Sequence, residues 1–238
     1  MDNNKALNEF VESYYGQLSE SVYKQPVPIS PDDTVLVIID AQKCITKEYF
    51  IEEYKSMGID VKPLMPVLNQ LKENTDEALN NIKIILQKCR EVGIRPIHIR
   101  IQSLLKDAKD TGLLHRSAGM FYPPCSAASE FCEEAMPLDG EIVFDKTCSG
   151  ILVGTPIDRV LRNLGAKNVI VTGFYTDQCV STSIRDLADT GYKVNMIEDA
   201  MTAMSRERHE NALQSIKYIY ANCEKTQELI KRLDALKK

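Results

Sequence analysis

Three side chains of complementary chemistry stand at or just past the ends of apolar, β-branched runs. Asp40 closes Thr34-Val-Leu-Val-Ile-Ile-Asp40, and Lys146 follows Glu141-Ile-Val-Phe144. Cys179 follows Asn168-Val-Ile-Val-Thr172 through the turn Gly173-Phe-Tyr-Thr-Asp-Gln178. A free thiol titrates near 8.5, so only a few per cent is thiolate at neutral pH. Cys179 is expected at the start of a helix, where unpaired backbone N–H groups and the dipole favour an anion. A neighbouring Lys146 ammonium pushes the same way. Asp40 can take the thiol proton and return it to a leaving amine, while N–H groups of the tight turn can hold an oxyanion. The chemistry expected is attack on an amide-type carbonyl, giving a thioester that water hydrolyses. Taken singly, each residue has a plainer reading: an Asp caps a turn, a Lys is solvated, a Cys is buried core. Their shared rim is what makes the combination chemical.

That rim has to be built by the rest of the chain. Val67, Leu68, Leu71, Leu79, Ile82, Ile85 and Leu86 recur at helical spacing through 66–92, and Gly93 stands where a left-handed cap is wanted. Further strands are expected at 94–101 and 192–197. Helices are expected at 156–164, 179–188 and 205–221, the last with Ser205 as N-cap. Strand and helix alternate, which predicts an α/β protein: a doubly wound, Rossmann-like parallel sheet with helices on both faces. Such sheets bind ligands beyond the carboxyl ends of their strands. Residues 102–140 show no clear element, and a loop that long reads as functional or as a lid.

Residues 1–30 read as a separate arm. Ala6, Leu7, Phe10, Val11, Tyr14, Tyr15 and Leu18 make one helical stripe, and three prolines in Gln25-Pro-Val-Pro-Ile-Ser-Pro31 then break any helix. The simplest expectation is that this helix packs on the 31–238 body.

Composition excludes several classes. The 238 residues are 44% hydrophobic and 26% charged, with a net charge of -5, close to the globular average. Without a Lys/Arg block or a long apolar run, neither nucleic acid nor membrane is an expected partner. Seven Cys without a CxxC suggest neither a disulfide framework nor a zinc ribbon. Together with the absence of a signal-peptide core, they fit a reducing cytoplasm. His98, His115 and His209 are too dispersed for a metal motif. No Rossmann glycine fingerprint or P-loop occurs, so no metal and no nucleotide cofactor is expected.

Val37-Ile-Ile-Asp-Ala-Gln42, Phe144-Asp-Lys-Thr147 and Val171-Thr-Gly-Phe-Tyr-Thr-Asp-Gln-Cys-Val180 resemble the three signatures of the isochorismatase-like cysteine hydrolases. The resemblance runs from about residue 30 to 230 and implies that family's three-layer sandwich. It implies Asp40 as general acid/base, Lys146 as supporting cation and Cys179 as nucleophile. It further implies an oxyanion hole from the backbone N–H groups of Tyr175 and Cys179, and a cis peptide between Phe174 and Tyr175. Members lacking the Cys hydrolyse a vinyl ether, so its presence points to an amidase. Residues 41–62 hold no His, unlike the metal motif of nicotinamidases.

His98-Ile-Arg-Ile-Gln-Ser103, Asp158-x-x-Leu-Arg-Asn-Leu-Gly165 and Arg206-x-Arg-His209 are similar to the ureide-directed branch, biuret and ureidoacrylate hydrolases among them. The substrate this implies is a small amide or ureide. Gln42, Gln102, Phe174 and Asn222 are the candidates to touch it, the amides because they both donate and accept. Another small carboxamide such as nicotinamide, or a non-catalytic binding protein that has kept the fold, are the alternatives. The family also implies a homo-dimer or homo-tetramer, for which the arm is an element to exchange.

Overall fold

The computed structural model describes residues 3–18 and 26–237. Its centre is a sheet of six strands: β1 (Thr34–Ile39), β2 (Arg95–Ile101), β3 (Ile142–Lys146), β4 (Asn168–Phe174), β5 (Lys193–Thr202) and β6 (Asn222–Glu224). They lie in the order β3-β2-β1-β4-β5-β6, and every pairing is parallel. All residues of β1 and β4 are buried. Continuous Val/Ile/Leu runs are what strands covered on both faces require.

Two groups of helices supply that cover. α1 (Asn3–Leu18) precedes the body; α2 (Lys47–Ser56) and α3 (Met65–Val92) follow β1. After β2 come α4 (Leu113–Ser117) and, beyond β3, α5 (Ile151–Gly154) and α6 (Ile157–Asn163). The series closes with α7 (Ser181–Asp189), α8 (Arg206–Ile216) and α9 (Thr226–Asp234). α2 and α9 pack on α3, which crosses the sheet from β2 to β5, whereas α5 to α8 pack on one another and on β3 and β5. α3 buries Leu68, Leu71, Leu79, Ile82, Ile85 and Leu86, and Gly93 ends it in the left-handed conformation, φ 83°. The Ser205 hydroxyl caps α8 by accepting from Arg208 N–H. The expected doubly wound architecture is the one observed. β1 and β4, from which the chain winds outward in opposite directions, flank the switch point.

Several local expectations need correction. α8 stops at Ile216 instead of 221, because Lys217 turns to extended backbone (ψ 143°) and Tyr218 takes a positive φ of 68°. Residues 217–221 form a turn instead and lead into β6 at the sheet edge. The N-terminal helix does not pack on the body through its stripe: Leu7, Phe10, Val11 and Tyr14 are all exposed. The linker, by contrast, is docked, with Val27 buried and its carbonyl accepting from Arg232 of α9. Gln25 lies outside the described residues. Among the described residues no helix is long and apolar enough to cross a membrane.

One polar cluster fixes the edge of the sheet that carries Lys146. Arg90 of α3 forks onto Glu141 with two 2.7 Å bonds, and His98 Nε2 and Leu138 N–H also engage Oε2, at 3.0 and 2.9 Å. Burial raises the Glu141 pKa, yet Arg90 and these donors outweigh it and bring the carboxyl down to about 2. A depressed folded pKa contributes stability above the unfolded value of 4.5, lost as pH falls through about 2. Glu141→Gln is therefore expected to cost about 2 kcal/mol at pH 7. Urea denaturation between pH 7 and 2.5 checks this, and the variant's curve should be the flatter one in acid.

Candidate active site

Asp40 is the first residue past β1. Its φ of 53° is left-handed, a conformation that Asp tolerates better than most side chains. Its N–H donates to Ile99 O at 2.9 Å, tying the turn to β2. Lys146 is the last residue of β3, an edge strand separated from β1 by β2. Two strand spacings amount to roughly 10 Å, so only a long side chain laid over the end of β2 can meet Asp40. It does: Lys146 Nζ donates to Asp40 Oδ2 at 2.8 Å, to Cys148 O at 3.1 Å and to Cys179 Sγ at 3.4 Å. An ammonium has three hydrogens, and all three are used.

Cys179 arrives by a tighter route. Gly173 pairs with Ile39, takes φ 126°, and sits so close to β1 that an added Cβ would lie 2.0 Å from Ile39 O. The Phe174–Tyr175 peptide is cis. Residues Thr176–Val180 then form a single wide turn that runs into α7, so the thiol stands before the helix proper. Two contacts from α8 hold the turn: Thr176 Oγ1 meets His209 Nδ1 at 2.8 Å, and Arg208 Nε donates to Asp177 Oδ2 at 2.6 Å. Ser183 Oγ donates to the Cys179 carbonyl at 2.6 Å.

The electrostatics differ from the expectation of a resting thiolate. Burial, and then the Asp40 charge, push the Cys179 thiol up to about 12, with Lys146 only partly opposing them. Burial also raises Asp40, against the pull of Lys146. For Lys146, burial works against the ammonium, but Asp40 and the sulfur outweigh it and raise its pKa. Burial thus favours the neutral thiol and works against the charge on Asp40, which Lys146 in turn favours. Asp40 Oδ1 is buried with no hydrogen bond, an acceptor available to a proton.

The site opens into a cavity of about 540 Å³ whose lining includes Asp40, Phe174, Tyr175 and Cys179. Three of the four substrate-contact expectations need correction. Gln42 is fully buried and spent on backbone: its Nε2 donates to Ile101 O and Ala128 O, and its Oε1 accepts from Ile101 N–H. Gln102 donates to Asp145 Oδ2 at 2.7 Å and does not line the cavity. Asn222, on β6, donates to Asn195 Oδ1 and lines a separate small cavity with Lys217 and Tyr218. Only Phe174 of the four faces the site.

Two further segments wall the cavity. The 102–140 segment, expected to be functional, supplies Leu114, His115, Met120 and Tyr122, and α2, which the sequence reading did not single out, supplies Tyr49, Phe50 and Glu53. A signal for α2 was available, since Thr46 caps it by accepting from Tyr49 N–H. No comparable signal marked α4, five residues long and started by Gly112 without a side-chain cap. Among the described residues no group of three His, Cys, Asp or Glu could hold a metal ion.

Sheet and site together define the class as a hydrolase on a doubly wound parallel sheet. The isochorismatase domain model matches residues 34–228, and the chain belongs to the isochorismatase family. It is 29% identical to the isochorismatase family protein YrdC of Bacillus subtilis over 154 residues, 64% of this chain and 76% of that one. It is 24% identical to the ureidoacrylate amidohydrolase RutB of Agrobacterium fabrum over 193 residues, 74% of this chain and 78% of that one. A cysteine hydrolase from Pseudomonas syringae shares the fold, with a TM-score of 0.72 and 24% identity over 88% of this chain and 96% of that one.

The β1–β4 contact carries its own test. Gly173→Ala would press a methyl group into Ile39 and strain a positive φ, so a loss of at least 2 kcal/mol, or failure to fold, is expected. Urea denaturation and size-exclusion elution of the variant measure it.

Proposed function

We propose that this protein is a cysteine-dependent amidohydrolase acting on a small linear amide. Cys179 Sγ attacks the amide carbon as Asp40 takes the thiol proton. The backbone N–H groups of Tyr175 and Cys179 bind the oxyanion. Asp40 then passes the proton to the departing nitrogen, which leaves as ammonia or an amine, and a thioester remains. Water attacks the thioester with Asp40 again as base; the acid is released and the thiol regains its proton. Lys146 keeps Asp40 ionised and balances the negative charge that moves between oxygen and sulfur. One observation carries the reading: a single buried ammonium bonded at once to a carboxylate and a thiol that both line a cavity.

The resting protonation supports the same order of events. With the thiol held up near 12, attack has to be coupled to proton transfer, and Asp40 is the acceptor at hand. A ureide-type substrate is supported by the ureidoacrylate amidohydrolase among the relatives. A carboxamide with an apolar body is the second reading, favoured by the apolar walls of the cavity.

Ammonia release from a panel of ureides and carboxamides tests the mechanism. Cys179→Ala and Asp40→Asn are each expected to lower kcat/KM on the order of 10³-fold or more. Activity that survives Cys179→Ala would overturn the mechanism. A wild type that binds amides without turning any over would mark a binding protein on the same fold. The pH profile adds an independent check. Asp40 must be ionised to accept the proton, so kcat/KM rises with pH through the Asp40 pKa. That acid limb is expected above the ordinary carboxylate value of 3.8, because burial raises it.

A further inference from the structure

The cavity walls say more about the substrate than the three reacting groups do. We infer that this site takes a neutral carboxamide whose acyl body is apolar, an aromatic ring or an aliphatic chain, and that it disfavours ureides carrying a carboxylate. The inference rests on the amidohydrolase reading and deepens it.

Size comes first. About 540 Å³ is the volume of a pocket for a ligand much larger than a ureide of a few atoms. The apolar lining includes Ile45, Tyr49 and Phe50 together with Leu114, Met120 and Tyr122. Tyr49 and Tyr122 meet edge to face, ring centroids 6.4 Å apart. Ser149, Gln178 and Thr182 are polar members of the lining, but against the apolar walls a polar ureide would regain fewer hydrogen bonds than the water it loses. An aromatic or aliphatic body would bury area favourably instead.

Charge points the same way. No Lys or Arg lines the cavity among the described residues. Lys146, behind Asp40, has no hydrogen left for a substrate carboxylate. His115 lines the cavity, but burial and then the Lys146 charge hold it down to about 4, so it is neutral at working pH. Besides Asp40, the carboxylate that faces the space is Glu53, which repels an anion. Gln42 and Gln102 are already bonded to backbone and to Asp145, which leaves Gln178 as the side-chain amide in the described lining. A carboxylate brought here would meet no cationic side chain among the described lining residues.

The test separates binding from turnover. Calorimetry with Cys179→Ala compares phenylacetamide with ureidoacrylate; phenylacetamide is expected to bind at least tenfold tighter. Equal or weaker binding of phenylacetamide overturns the inference. Ammonia release by wild type from phenylacetamide, hexanamide, biuret and ureidoacrylate is measured beside it, with the two apolar amides expected to show the higher kcat/KM. Cysteine-dependent turnover that favours ureidoacrylate also overturns the inference and leaves the amidohydrolase reading standing. Tight phenylacetamide binding with no turnover of any amide overturns that reading and, with it, the assignment of a substrate. Leu114→Arg supplies a second variant: Leu114 is 65% exposed on α4, so the fold should tolerate it. The added cation should lower kcat/KM for phenylacetamide and raise it for ureidoacrylate, shifting their ratio at least tenfold. An unchanged ratio counts against the apolar wall as the selector.

Discussion

A fully buried ammonium is the constraint around which this molecule is arranged. Lys146 has no solvent-exposed side-chain surface, and an unpaired charge there would be prohibitive. Its three hydrogen bonds reach Asp40, the Cys148 carbonyl and Cys179, groups drawn from three separate stretches of chain. Removing one partner of such a pair typically costs about 3–5 kcal/mol, because the other charge is left without compensation. A compact ammonium suits three acceptors spread around a point, where a planar guanidinium would not. Cys148 contributes to this set through its backbone oxygen.

The same constraint explains the backbone around it. Asp40 sits in a left-handed turn, which brings its carboxylate to the ammonium directly beyond the last residue of β1. Gly173 lets β4 approach β1 to a distance that no side chain permits, and this carries the Cys179 turn to the same spot. α8 then grips the turn through Thr176 and Asp177. The result is an enclosed site in which charge is expensive. Burial therefore holds the thiol in its protonated form, contrary to what a cysteine at an exposed helix start would do.

Selectivity resides in segments outside the sheet. α2 and the 102–140 segment contribute walls but no reacting group. Gly112 pins the second segment near the site: its N–H donates to Thr147 O at 3.0 Å, and an added Cβ would lie 2.3 Å from that oxygen. A shared catalytic floor under independently built walls is how one fold serves many substrates. For this reason kinship with an amidohydrolase speaks to the chemistry of the floor more than to what fits above it.

The sequence by itself determined the parallel sheet, through unbroken Val/Ile/Leu runs that only doubly covered strands accept. It also determined which reactive side chains stand at the strand ends, since Asp40, Lys146 and Cys179 each follow such a run or close it. Helix stops at Gly93 and the start at Ser205 were legible because caps are local chemistry. Tertiary structure alone decided the rest. Gln42 and Gln102 could not be told from substrate-binding amides until the backbone groups and the carboxylate that consume them were in place. The end of α8 and the edge position of Asn222 depended on a pairing with β5 that no local pattern encodes. The exposed stripe of α1 depended on where the body's own surface lies. The protonation of Cys179 was set by burial, a property of the whole packed site: sequence names a titratable group, but only the surrounding dielectric and the neighbouring charges decide which form it keeps.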